Sequence, residues 1–143
     1  MGLEKVHQLS YKRRYELRID LIYKNTSFFA QYASFKLFGE PENYRLEIDG
    51  YSGDAGDSLL MLSSNNHNHN HMEFTTFDRD HDLLDHENCA LKYHGGWWFN
   101  KCHTGYLNGV WGSKAYGLGL QWRTLTGSKD SVTFSEMKIR PLH

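Results

Sequence analysis

The segment Asp78-Arg79-Asp80-His81-Asp82 sets three carboxylates at alternate positions. Hard oxygen ligands spaced in this way can wrap Ca²⁺ while nearby backbone carbonyls complete the shell. It is not an EF-hand, which wants Gly at loop position six and Glu at position twelve; counted from Asp78 those places hold Leu83 and Cys89. On spacing alone the cluster also reads as a solvated acidic turn. His67, His69 and His71 alternate with Asn66, Asn68 and Asn70, so an extended backbone would turn three imidazoles to one face where Zn²⁺ or Cu²⁺ could bind. Ordering such a segment around a metal loses entropy, and the expectation here is a polar surface loop. Cys89 and Cys102 are the only cysteines, so an internal bridge has a single connectivity. Closing a loop of about 15 residues is worth roughly 3 kcal/mol in the chain-entropy view; two unrelated buried thiols are the other reading. Cys102-His103 is no nucleophile pair, because neighbours in sequence rarely face each other as that chemistry requires. Asn25-Thr26-Ser27 matches an N-glycosylation acceptor.

Elements must position these groups. Leu3, Val6 and Leu9 at spacing three suit one or two helical turns. Tyr15, Leu17, Ile19 and Leu21 alternate with Glu16, Arg18 and Asp20, the pattern of a strand with one buried face. Phe28 to Leu37 reads as a second strand, and Tyr44, Leu46 and Ile48 mark a third. Near the end Val132 and Phe134 share one parity and Met137 and Ile139 the other, so a strand there is expected to bulge near Ser135-Glu136. Between Gly50 and Lys129 periodicity is lost, and so long an irregular stretch is usually functional.

The 143 residues fit one domain. Sixteen Lys and Arg against seventeen Asp and Glu leave a net charge of −1, so no basic field exists to hold a phosphate backbone and nucleic-acid binding is excluded. No run of about 18 apolar residues spans a membrane, and the opening Met1-Gly2-Leu3-Glu4-Lys5 lacks the apolar stretch of a signal peptide. Eight Phe, four Trp and nine Tyr supply a core, and Trp97 and Trp98 are expected in it.

Several motifs in order, namely Tyr51-Ser52-Gly53-Asp54-Ala55-Gly56-Asp57-Ser58, Phe74-Thr75-Thr76-Phe77-Asp78-Arg79-Asp80-His81-Asp82, Asn88-Cys89-Ala90, Gly96-Trp97-Trp98-Phe99-Asn100-Lys101-Cys102-His103 and Leu107-Asn108-Gly109, resemble the fibrinogen C-terminal domain. The closing Ser135-Glu136-Met137-Lys138-Ile139-Arg140-Pro141 is similar to its final strand, and ficolins, tachylectins, tenascins and angiopoietins share the domain. The resemblance implies an α+β, sheet-centred fold, with a sheet-rich part over 1–58 and a long irregular calcium-binding and ligand-binding part with the final strand over 59–143. It implies Ca²⁺ held by the carboxylates of Asp80 and Asp82 with the carbonyls of Leu84 and His86, and a Cys89–Cys102 disulfide. It also implies an acetyl-binding pocket at Tyr93, His103 and Tyr116, with the Lys101–Cys102 peptide in cis. Tyr93, Trp97 and Tyr116 would wall an apolar recess for the methyl, with His103 and that peptide facing the carbonyl. Gly117 stands where fibrinogen's own peptide pocket has an Asp, which disfavours an amine ligand.

The function so implied is calcium-dependent, lectin-like recognition of acetylated sugars or other acetylated compounds, as in innate immunity. The alternative is a matrix or receptor domain with protein partners, as in tenascins and angiopoietins. Either is a secreted binding module, not an enzyme, with homo-oligomers expected. The family's amino-terminal third, with its first disulfide, has no counterpart here, which implies a fragment or shortened gene product. Tyr15 to Leu21 is then expected to be an unpaired sheet edge.

Overall fold

A computed structural model describes residues 1–60 and 67–143. Helix α1 (Leu3–Lys12) precedes strands β1 (Tyr15–Tyr23), β2 (Thr26–Leu37) and β3 (Leu46–Gly53). The short α2 (Cys89–Tyr93), β4 (Gly105–Tyr106), β5 (Gln121–Trp122) and α3 (Arg123–Thr126) interrupt the loops, and β6 (Phe134–Pro141) follows. No helix among the described residues is long and apolar enough to cross a membrane.

The long strands form an antiparallel sheet in the order β3-β2-β1-β6. The alternation in β1 buries Leu17, Ile19 and Leu21 on one face, where they meet Ala30, Tyr32, Leu37, Leu46 and Ile48 in the core. Burying each large apolar side chain contributes about 1.5–3 kcal/mol. Lys24 and Asn25 turn the β1–β2 hairpin with positive φ values of 48° and 61°, as a tight two-residue turn requires. Asn25 of the glycosylation tripeptide is exposed at that tip.

Three expectations are corrected. Tyr15 to Leu21 is no edge: β1 has β2 on one side and β6 on the other. β6 carries no bulge, since its pairing runs without a break from Ile22↔Phe134 to Tyr15↔Pro141. Ile139 and Met137 stand opposite core-facing Leu17 and Ile19, whereas Phe134 points to the other, exposed face, so the change of parity needs no insertion. The register shift lies instead between β1 and β2, where Tyr15 pairs with Phe35 but Leu17 with Tyr32. Helix α1 is also longer than one or two turns. Polar groups dock it on β2: Ser10 Oγ accepts the Leu37 N–H at 3.0 Å, and the His7 ring N–H donates to the Leu37 carbonyl at 2.8 Å.

At the β3 edge, Leu46 donates its N–H to Met72 O (3.0 Å) and accepts from His71 N–H (2.7 Å), while Ile48 N–H donates to Asn70 Oδ1 (2.9 Å). The histidine-bearing segment therefore lies along the sheet rather than free in solvent.

Candidate functional site

Two loops build the site, one around Asp80 to Asn88 and the other around Lys101 to His103, and the Cys89–Cys102 disulfide joins them. Both cysteines are consumed by this bridge, so no free thiol is left for nucleophilic chemistry. Asn88 caps α2, its Oδ1 accepting from the N–H groups of Ala90 (2.8 Å) and Leu91 (3.1 Å). Its Nδ2 donates to the carbonyls of Thr76 and Phe77, tying the acidic segment to the helix.

Asp82 organises the acidic loop. Its carboxylate accepts from Leu84 N–H at 2.9 Å and Cys89 N–H at 2.8 Å, while Asp82 N–H donates to Asp80 Oδ1 at 3.2 Å. Burial pushes the Asp82 carboxyl above its ordinary range, the two N–H donors oppose that, and the Asp80 charge adds to the rise. A cation between the carboxylates would reverse the penalty that burial and mutual repulsion impose. No donor among the described residues reaches the carbonyl of Leu84 or of His86, whose backbone is left-handed at φ 67°. No three His, Cys, Asp or Glu side chains among the described residues converge to hold a metal. Two carboxylates and backbone oxygens are therefore the donors on offer, a set suited to a hard ion such as Ca²⁺. Asp78 is not part of this pair; its carboxylate accepts from Thr76 Oγ1 at 2.7 Å.

Tyr93, Lys101, Cys102, His103, Tyr116 and Gly117 line one recess of about 160 Å³. The Lys101–Cys102 peptide is cis. Tyr93 is buried and its ring meets the His103 ring edge-on at 4.8 Å, whereas Tyr116 is 63% exposed. His103 Nε2 lies 3.0 Å from the Gly117 carbonyl. A carbonyl only accepts, so Nε2 carries the proton and Nδ1, buried without a partner, does not. Burial holds the imidazole neutral, with its pKa pushed down to about 3. The His103 side chain has no donor left for a ligand carbonyl. The backbone N–H groups of Cys102 and His103, which meet no protein acceptor among the described residues, are the available donors on this wall.

The recess differs from the expected apolar one. Trp97 does not line it but is buried in the core with Trp98. His67, Gln121, Arg123 and Ser128 complete the walls instead. Gly117 has φ 73°, and a Cβ there would collide with the Tyr93 ring, so an Asp is excluded sterically as well as by sequence.

The expectation of a polar surface loop at His67, His69 and His71 also fails. Asn66 lies outside the described residues. His71 is exposed, but His69 is fully buried, donating from Nδ1 to Trp98 O (2.9 Å) and accepting at Nε2 from the N–H groups of Thr104 (3.1 Å) and Gly105 (3.3 Å). Burial lowers its pKa to about 4, against the raising effect of the Trp98 hydrogen bond. Nothing in the local alternation separates this structural histidine from its neighbours; only partners about 30 residues away do.

A small sheet carrying a long, disulfide-clamped loop region defines a fibrinogen-like globe. Residues 1–142 match the family model for the C-terminal globular domain of fibrinogen beta and gamma chains, and the protein belongs to that family. It is 44% identical over 151 residues to human (Homo sapiens) fibrinogen C domain-containing protein 1, covering 99% of this chain and 31% of the relative. To chicken (Gallus gallus) tenascin it is 40% identical over 141 residues, covering 99% of this chain and 7% of the relative. The fibrinogen-like globe domain of human ANGPTL2 superposes with a TM-score of 0.87 at 39% identity, over 98% of this chain and 64% of that one. Lamprey fibrin D-dimer, in complex with the peptide Gly-His-Arg-Pro-amide, gives 0.88 at 35% identity over 98% and 49%. The chain thus spans about a third of the first relative and under two thirds of these solved chains.

Proposed function

We propose that this chain is an extracellular, non-enzymatic recognition domain that binds a protein partner. The observation that carries this is the loop over 110–116, closed by Val110 N–H to Leu118 O, which exposes Val110 by 47%, Trp111 by 66% and Tyr116 by 63%. Large exposed rings at one place are the usual anchors of a protein interface, and Tyr116 carries this surface into the recess. The likeness to tenascin and to angiopoietin-like globes supports a protein partner. Ca²⁺ belongs to this reading as the ion that Asp80 and Asp82 hold with the Leu84 and His86 carbonyls, fixing the disulfide-linked loops.

Trp111→Ala/Tyr116→Ala tests it. Against a panel of immobilised extracellular-matrix proteins, the partner bound by the wild type is expected to lose at least tenfold in affinity, and chelation to weaken it further. Binding untouched by the double substitution would overturn the reading.

A second reading, acetylated ligands, is favoured by the unengaged N–H groups of Cys102 and His103 beside the Tyr93 ring. Titration with N-acetylglucosamine and with glucosamine, with calcium and with chelator, separates it from the first. Equal binding of both sugars sinks it.

A further inference from the structure

We propose that Asn25 is an N-glycosylation site, accepting an oligosaccharide from a lipid-pyrophosphate carrier in the secretory pathway. The inference rests on the extracellular reading above, since that carrier serves chains that enter this pathway. Asn25-Thr26-Ser27 has a hydroxyl residue two places after the Asn and no Pro between them, and it is the one such tripeptide in the chain. A tripeptide alone is a weak signal; its setting in the fold decides.

The tripeptide forms the tip of the β1–β2 hairpin. Tyr23 pairs with Thr26 and Ile22 with Ser27, so Lys24 and Asn25 are the two residues of the turn. Lys24, Asn25, Thr26 and Ser27 are all exposed. The base of the turn is held in place. The Ile22 carbonyl accepts from the Thr133 N–H at 2.8 Å and from its Oγ1 hydroxyl at 3.1 Å, and the Tyr23 hydroxyl donates to Asp130 at 2.7 Å. The Lys24 ammonium lies back over the Tyr23 ring, 5.3 Å from its centre, where it is paired with the base of the hairpin. A bulky, solubilising group needs such a surface tip.

A turn has its own use for Asn, which tolerates positive φ, and Asn25 has φ 61°. Two observations favour a modification site. At the second place of such a turn Gly is the preferred residue, since it adopts positive φ without steric cost. The amide of Asn25 also does no structural work. Asn68, Asn70, Asn88, Asn100 and Asn108 each commit their side chains to hydrogen bonds with backbone groups. Neither the Asn25 amide nor the Ser27 hydroxyl has a hydrogen-bond partner among the described residues. Substituting that amide therefore removes nothing from the fold. In the transfer, Asn25 Nδ2 bonds to the anomeric carbon of the first sugar as that carbon's bond to the pyrophosphate oxygen breaks. The amide gives up one proton, and the lipid pyrophosphate departs with the bonding electrons.

Translation of the chain behind a cleavable secretion signal, with microsomes present, is expected to yield a single glycosylated form. Peptide N-glycosidase should collapse it and leave an aspartate at position 25, read by mass spectrometry. Asn25→Gln and Ser27→Ala should each abolish the shift, and Ser27→Thr should keep it. Transfer precedes folding, so these outcomes do not depend on a variant's stability. Signal cleavage reports translocation; a cleaved but unshifted wild type, or a shift that survives Ser27→Ala, would overturn the proposal. The protein-partner reading is tested apart, by Trp111→Ala/Tyr116→Ala. Purified from secreting cells, the glycosylated wild type and Ser27→Ala should melt at the same temperature, and a melt lowered by the glycan would contradict an unengaged amide at the tip.

Discussion

In the sheet, β1 gives its backbone groups to β2 and β6, and its side chains need only alternate between apolar and polar. Over residues 54–133, regular pairing among the described residues is limited to the two-residue strands β4 and β5 and to isolated bridges such as Thr75 with Trp97. Side chains there take over the ladder's work. Trp122 Nε1–H donates to Gly56 O at 2.8 Å, Trp98 Nε1–H to Tyr44 O at 2.9 Å, and Asp57 Oδ1 accepts the N–H groups of Leu59 and Leu60. His69 alone serves three backbone groups. Buried backbone must be satisfied whatever the local structure, so an irregular region needs polar residues in its core where a sheet needs apolar ones.

His69→Ala should break this contrast most sharply. It leaves two buried donors and one acceptor without partners, at an expected loss of about 4 kcal/mol in urea unfolding, against about 1 kcal/mol for Ile19→Val in the sheet. If the order were reversed, the loop region would not depend on its polar core.

Replacing both Cys89 and Cys102 by Ser should remove roughly 3 kcal/mol. Hydrogen exchange is expected to show the loss over residues 80–105 while β1 and β2 keep their protection, because the bridge closes a loop of the irregular region alone.

Acid should act through the same region, more gently. His69 and His103 have folded pKa values of about 4 and about 3, below the ordinary 6.5, so the unfolded chain binds protons first as pH falls. The stability they confer is whole above pH 6.5 and declines as pH drops toward the folded values. Between pH 7.5 and 5.5 each contributes a loss of about 1.4 kcal/mol. A melting temperature flat over that interval in wild-type protein would contradict their burial as neutral rings.

These differences explain what could be read from sequence. The parity of Leu17, Ile19 and Leu21 reports their burial directly, since neighbours in a strand face opposite sides. The ordered motifs point to the family and so to the loops that carry Asp80, Asp82 and Cys102. The function of His69 is absent from any local pattern, because it is defined by a carbonyl and two N–H groups distant in sequence. Phe134 misleads for the opposite reason: an apolar residue on an edge strand need not face the core.

The place of β1 between β2 and β6 also bears on how the protein is made. The β1–β2 hairpin can close as soon as Leu37 is available. The other side of β1 waits for a segment of much later sequence, as the Thr133–Ile22 hydrogen bond, spanning 111 positions, records. At a synthesis rate of about 5–20 residues per second, that interval lasts on the order of 10 s. Throughout it a nascent β1 presents an open strand on the ribosome, and shielding it until the last strand arrives becomes a task for chaperones rather than for the fold.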